Sequence, residues 1–269
     1  MSVTQAQGFN AAGVAAGLKS SGAKDLSLIL NTGPKATSAA VFTTNKFAAA
    51  PVIWSRQIRL GGDARVVVLN SGGANACTGP AGFADTHATA ELVAAGLTAR
   101  KLGEFGAGEV FVCSTGLIGE RLDMAALGKG IDLAISQLAP TGGVDAAEAI
   151  MTTDTQCKIS ELREDGYTIG GMAKGAGMLA PGMATMLSVI TTDADVSSKF
   201  LQPALEFATS QTFDRLDSDG CMSTNDTVIL LANAASGASP DPKEFQKALT
   251  RVCEDLAQQL MADAEGSTK

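Results

Sequence analysis

Short runs of β-branched and apolar residues recur along the chain, at Ser38 to Phe42, Arg65 to Leu69, Val110 to Cys113, Met186 to Thr192 and Thr227 to Leu231, and each predicts a strand. Between them apolar residues return at three- and four-residue spacing, which predicts helices over Thr86 to Ala99, Met124 to Leu138, Gly143 to Met151, Lys199 to Thr209 and Pro242 to Ala264. Strands interleaved with helices define an α/β fold with sheets layered by helices. Asp241-Pro242 is a helix start, and its pattern runs unbroken to Glu265-Gly266, shortly before the sequence stops at Lys269. A helix of this length ending before glycine ordinarily leads into further structure, so the stop is expected to be an interruption. No internal repeat or low-complexity tract is present.

Composition narrows the function classes. With 269 residues, 45% of them hydrophobic and 18% charged, the chain can bury a substantial core. A formal net charge of −8 argues against nucleic acid or an anionic membrane as partner, since both call for a dense Lys/Arg field. The start MSVTQAQGFN has no basic segment followed by an apolar one, and no apolar run is long enough to span a bilayer; a cytoplasmic location is expected. The five cysteines, Cys77, Cys113, Cys157, Cys221 and Cys253, are scattered without a CxxC pair, which favours reduced thiols. His87 is the only histidine. That removes the usual general base and most zinc ligand sets, so no metal is expected and a nucleophile needs another activator. His87 itself lies in an Ala-rich run that reads as an ordinary helix.

The densest unusual segment is GGMAKGAGMLAPGMATMLSVITTDADV, Gly170 to Val196, where glycines and a proline precede a threonine opening an apolar run. Attack of the Thr185 hydroxyl on the Ala184 carbonyl, followed by hydrolysis of the ester, would free Thr185 as a new N-terminus. Such a threonine carries its own base, because an α-amine has an unperturbed pKa of about 7.7–8.0. The alternative is a Gly-rich turn before a strand. Neither GxGxxG nor GxxxxGK[ST] is matched here, which excludes a Walker-type nucleotide site. Lys174, among the glycines, could hold an anionic group or be a solvated loop lysine.

In VFVCSTGLIGE, Val110 to Glu120, a strand ends at Ser114-Thr115-Gly116. Strand ends are where α/β proteins place function, and the Thr115 hydroxyl with the Gly116 N–H could stabilise an oxyanion, or simply form a turn. VVVLNSGGANACTG, Val66 to Gly79, is a second strand running into a polar glycine loop, with Asn70, Asn75 and Thr78 as ligand contacts or turn residues. In MTTDTQCK, Thr152 and Thr153 are either capping residues or substrate contacts. DRLDSDGCMSTNDT mimics a calcium loop but has Arg215 and Asp226 at the places of the first ligand and the final glutamate; it is read as a polar loop.

Taken together, GFNAAGVAAGLK, AVFTTNKFAAAPV, VVVLNSGGANACTG, STGLIGE, AIMTTDT, GGMAKGAGMLAPGMATML, TTDADV, STNDT and AEGSTK resemble, in order and across essentially the whole chain, landmarks of the ornithine acetyltransferase family of arginine biosynthesis. The resemblance implies a self-processing α/β enzyme with an N-terminal threonine nucleophile, cut between Ala184 and Thr185 into an alpha chain, 1–184, and a beta chain, 185–269. It implies transfer of acetyl from N2-acetyl-L-ornithine to L-glutamate through acetyl-Thr185. Thr115 and Gly116 resemble the oxyanion pair; Thr152 (with Thr153 as the neighbouring alternative), Lys174 and Glu265 resemble substrate contacts, Glu265 for the ornithine amine. It further implies an α2β2 heterotetramer and no cofactor, with acetyl-CoA a substrate in bifunctional members only. Family members continue past AEG, so the chain is expected to be shorter than theirs. The competing readings are a related self-cleaving aminopeptidase or amidase, with water as acceptor, and a non-catalytic relative.

Overall fold

In the computed structural model, residues 2–177, 186–217 and 219–266 are described. Among the described residues, nine strands form two sheets. The first takes β1 (Phe9–Val14), β2 (Leu26–Asn31), β4 (Val66–Asn70) and β5 (Val110–Ser114) in the order β1-β2-β4-β5; the second takes β3 (Thr37–Phe42), β9 (Thr227–Ala232), β8 (Leu187–Thr192), β7 (Tyr167–Lys174) and β6 (Lys158–Glu164) in the order β3-β9-β8-β7-β6. Pairing is antiparallel except for β4 with β5 and β8 with β9. Each parallel pair is joined through helices: α2 (Gly79–Ala99) connects β4 to β5, and α5 (Ser198–Gln211) connects β8 to β9.

The layering follows from which side of each strand is apolar. In β8 and β9, Leu187, Val189, Ile229 and Leu231 point into one core, shared with the four-stranded sheet, α1 (Ala50–Arg59), α2, α3 (Met124–Ser136) and α4 (Gly143–Ala149). The alternate residues Ile190, Val228 and Leu230 face a second core under α5 and α6 (Pro242–Ala262). Strands buried on both faces read as continuous apolar runs, which is why β4, β5, β8 and β9 were visible in the sequence.

Four strands and a helix were not. β1, FNAAGV, is built of small residues because α4 lies close against it; a Cβ on Gly13 would sit 1.8 Å from the Asp145 carbonyl oxygen. β6 is half exposed; β2, an apolar run before Gly33-Pro34, and α1, with Pro51 in its first turn, were not predicted although their signals were present. β7 corrects the reading of Gly170 to Lys174 as glycine-rich loop. Gly170 and Gly171 are strand residues, and Gly170 is small because the Ser2 carbonyl oxygen would lie 2.3 Å from its Cβ. Helix α2 also begins earlier than expected, at Gly79 instead of Thr86. Helix α6 matches its predicted start: Asp241 accepts from the backbone N–H of Lys243 at 2.9 Å and Glu244 at 3.3 Å.

Candidate active site

The carboxyl ends of β4, β5 and β7 converge with the segment after α4 and the end of α6 around a cleft of about 630 Å³. Thr115, Gly116, Thr152, Thr153, Lys174 and Glu265 all line it. Ala184 and Thr185 lie outside the described residues. From Met186 the residues are described again, and β8 starts with Leu187 paired to Lys174 on one side and to Thr227 on the other.

Thr115 and Gly116 follow β5 directly. The Thr115 N–H donates to the Asn70 carbonyl at 2.9 Å, which locks this corner to the end of β4. Gly116 has φ +128°, and a Cβ there would lie 2.8 Å from the Gly73 nitrogen, so the corner can be made only by glycine. Lys174 ends β7 almost fully buried and donates to the Thr115 Oγ1 at 3.3 Å, which leaves the hydroxyl proton of Thr115 for a ligand. The solvated-loop alternative for Lys174 is thereby excluded. Burial lowers its pKa, and the carboxylates of Asp154 and Asp226 offset part of that effect.

Asp154 organises the opposite wall. Its Oδ2 accepts from the Thr152 N–H at 2.9 Å, and its Oδ1 from the Gly175 N–H at 2.6 Å and the Lys158 Nζ at 2.6 Å. Burial pushes this carboxyl up, but the charge of Lys174, the Lys158 bond and the two amides overcome it and hold the pKa below the usual carboxylate range. Lys158, fully buried, also donates to Asp263 just past α6. Two residues further on, the Glu265 N–H donates to the Ala176 carbonyl at 2.6 Å. One buried ion network thus fixes Thr152, the residue after Lys174, and the turn after α6 that carries Glu265.

Replacing Lys158 by Met should leave Asp263 without its cation and Asp154 with only the charge of Lys174, and lower stability by about 3 kcal/mol. Chemical denaturation should show this as a lower midpoint at an unchanged slope; an unchanged midpoint would mean that the network contributes nothing. Because the Asp154 pKa is depressed on folding, its stabilisation is complete above the unfolded value of about 3.9 and is lost as pH falls through the lower folded value.

Other sequence candidates have structural roles. Asn75 Nδ2 donates to the Gly82 carbonyl at 2.9 Å and to Thr86 Oγ1 at 3.0 Å, and Thr78 Oγ1 to Asn75 Oδ1 at 2.7 Å, so both bind the start of α2. Asn70 Nδ2 donates to Ser114 Oγ at 2.6 Å, joining β4 to β5. His87 is on α2 with its ring 5.0 Å from that of Trp54 and its Nε2 3.5 Å from Glu91; it does not line the cleft.

Asn225, Asp226, Asp154 and Lys158, which brace the cleft, escaped the sequence reading as site residues. STNDT was read as a polar loop and a family landmark with no site role, yet Asn225 donates to the carbonyls of Ala74 at 2.7 Å and Ser114 at 2.8 Å, while Asp226 accepts the Met186 N–H at 2.9 Å. Burial pushes the Asp226 carboxyl well above its ordinary range, against the opposing Met186 amide and Lys174 charge. Their signal was the polar cluster directly before a fully buried strand. Asp154 and Lys158 carried a similar one, an acid and a base spaced four residues apart at a strand start.

Two helix-covered sheets with loops converging on one cleft define a layered α/β fold with a candidate active site at the strand ends. An L-aminopeptidase D-Ala-esterase/amidase from Ochrobactrum anthropi, described as a variant of the Ntn hydrolase fold, shares the fold with TM-score 0.57 at 14% identity, over 99% of this chain and 88% of that one. The chain belongs to the ArgJ family, whose model matches residues 10–269. It is 59% identical to the arginine biosynthesis bifunctional protein ArgJ of Streptomyces coelicolor, across all of this chain and 69% of that protein. The ornithine acetyltransferase of Mycobacterium tuberculosis, solved with ornithine, is 58% identical with TM-score 0.66, over 67% of this chain and 94% of that one. The protein is accordingly an acetyltransferase of arginine biosynthesis. No helix among the described residues is long and apolar enough to cross a membrane.

Proposed function

We propose that the protein transfers the acetyl group of N2-acetyl-L-ornithine to L-glutamate by a ping-pong route through acetyl-Thr185, after cutting itself between Ala184 and Thr185. The observation that carries this reading is the gathering of Thr115, Gly116, Thr152, Lys174 and Glu265 on one cleft beside the start of β8. Thr185 is bonded to Met186, whose N–H is held by Asp226 at that strand start.

In the first step the Thr185 hydroxyl attacks the Ala184 carbonyl carbon, the peptide nitrogen leaves as an amine, and water hydrolyses the resulting ester. The products are residues 1–184 and 185–269. They would stay together, because β7 and β8, one from each, are paired over six residues within one sheet. In each turnover the freed α-amine removes the hydroxyl proton, the oxygen attacks the acetyl carbonyl of acetylornithine, and the negative oxygen is met by the Thr115 hydroxyl and the Gly116 N–H. The amine returns the proton to the leaving ornithine nitrogen. Glutamate's amine then attacks the acetyl ester by the reverse of these steps. Lys174 suits a substrate carboxylate, Glu265 the ornithine side-chain ammonium, and Thr152 a polar group between them. The steps consume no cofactor; acetyl-CoA would be an alternative donor at the same threonine. We further assign an α2β2 assembly and a cytoplasmic location to this reading.

Purified protein should give two masses, corresponding to 1–184 and 185–269, and should move label from acetylornithine to glutamate. One uncut mass with no transfer would refute the proposal; cut protein that only hydrolyses acetylornithine would support the amidase reading instead.

The base makes a separate prediction. The amine works only when neutral, so kcat/KM should rise with pH through a single ionisation, with an unperturbed midpoint of about 7.7–8.0 that burial or the Lys174 cation would lower. His87→Asn should leave this limb unmoved, and its disappearance in that variant would assign the base to His87.

A further inference from the structure

The proposed reaction gives one cleft two opposed side chains to hold. Ornithine ends in an ammonium and glutamate in a carboxylate, yet each must bring its α-nitrogen to the same acetyl carbon. Glu265 favours the first and repels the second, and Lys174 lies deep, beside Thr115, where the α-carboxylate is expected.

The cleft lining holds a second cation. Lys19 is carried on the loop between β1 and β2, and this loop is built with care around a buried acid. Asp25, with no exposed surface, accepts the backbone N–H groups of Ala16 at 2.6 Å, Leu18 at 2.6 Å and Lys19 at 2.8 Å. The Lys19 Nζ donates to the carbonyls of Met151 at 2.7 Å and Lys24 at 3.0 Å. An ammonium has three donors, so one is left for a ligand, and no carboxylate forms an ion pair with Lys19 among the described residues. Neighbouring Ser20, Ser21 and Thr152 line the same cleft with hydroxyls.

Lys19 is thus held in place by backbone bonds on both sides; burial lowers its pKa, and the nearby carboxylates of Asp25 and Asp154, which do not bond its ammonium, offset part of that effect. Its field reaches Lys174 and disfavours the charge there, which places two cations and one acid around the same space. That set matches each substrate in turn: carboxylate and ammonium on Lys174 and Glu265 for ornithine, two carboxylates on Lys174 and Lys19 for glutamate.

We infer that Lys19 is the residue that admits glutamate, its free N–H receiving the side-chain carboxylate of the acceptor. The inference rests on the transferase reading, and two reactions separate them. Exchange of acetyl between N-acetylornithine and labelled ornithine uses the donor half alone, whereas transfer to glutamate needs both halves.

Lys19→Met should raise the KM for glutamate about tenfold or more, the worth of one hydrogen bond to a charged group, while ornithine exchange changes by much less. Lys19→Arg should restore most of the glutamate KM. Wild-type protein should prefer glutamate to glutamine as acceptor, and Lys19→Met should lose that preference. A glutamate KM unchanged in Lys19→Met, or equal losses in exchange and transfer, would overturn the assignment. Absence of ornithine exchange in the wild-type protein would instead remove the transferase reading, and the role of Lys19 with it.

Discussion

Thr185→Ala is expected to yield one uncut chain with no detectable acetyl transfer. The substitution removes the only atom that the proposed route uses twice, first against the Ala184 carbonyl and then against the acetyl group. Its effect on folding should be small. The pairing of β7 with β8, the β8–β9 ladder and the Asp226 bond to the Met186 N–H all involve residues other than 185. The uncut variant should therefore melt as a cooperative unit close to wild type, which gel electrophoresis and a thermal scan check together. Two fragments from the alanine variant would place the cut, and the nucleophile, elsewhere. Thr185→Ser retains a hydroxyl and should still cut itself, at an altered rate.

The second large effect is expected at the β5 corner. Thr115→Ala should lower kcat by about 10²–10³, or about 2.7–4 kcal/mol of barrier, with KM nearly unchanged, because the hydroxyl is used most when negative charge develops on the carbonyl oxygen. The corner should survive the substitution: its backbone is fixed by the Thr115 N–H to the Asn70 carbonyl and by the close approach of Gly116 to Gly73. The variant does lose the acceptor for Lys174 Nζ, so Thr115→Ser, which keeps both functions of the hydroxyl, should retain most of the activity. Self-cleavage passes through a similar tetrahedral species and should slow as well, so rates are to be measured on fully cut protein. A kcat within a few-fold of wild type would make Thr115 a turn residue only.

What the sequence disclosed, and what it hid, follows from how each signal arises. β4, β5, β8 and β9 are buried on both faces, so their apolar runs were unmistakable, and α6 announced itself through the Asp241 cap and its long period. β7 hid behind Gly170 and Gly171, whose smallness reflects the chain packed against them and not a turn. The same misreading made Lys174 ambiguous. A lysine among glycines looks solvated until the pairing of β7 with β8 shows that it ends a strand, buried against Thr115.

Thr115, Gly116, Thr152, Thr153, Lys174 and Glu265, read from the sequence, line the cleft, whereas most of the residues that were missed stand behind it. Asp154, Lys158, Asp263 and Asp226 hold backbone amides and one another. Partners separated by more than a hundred residues, as Lys158 and Asp263 are, leave no local pattern to read. Asp25 is a nearer case. Its three amide bonds are all within nine residues, yet only the folded loop reveals that it presents Lys19 to the cleft.

The central claim is that one threonine carries the acetyl group, and it can be observed directly. Purified, self-cut protein is mixed with N-acetylornithine without acceptor, quenched in acid, and analysed by intact mass and peptide mapping. The 185–269 fragment should gain the mass of one acetyl group, located on Thr185, and lose it on addition of glutamate as acetylglutamate forms. An acetyl group found on the 1–184 fragment, or transfer to glutamate with no acetylated protein at any time, would contradict the account.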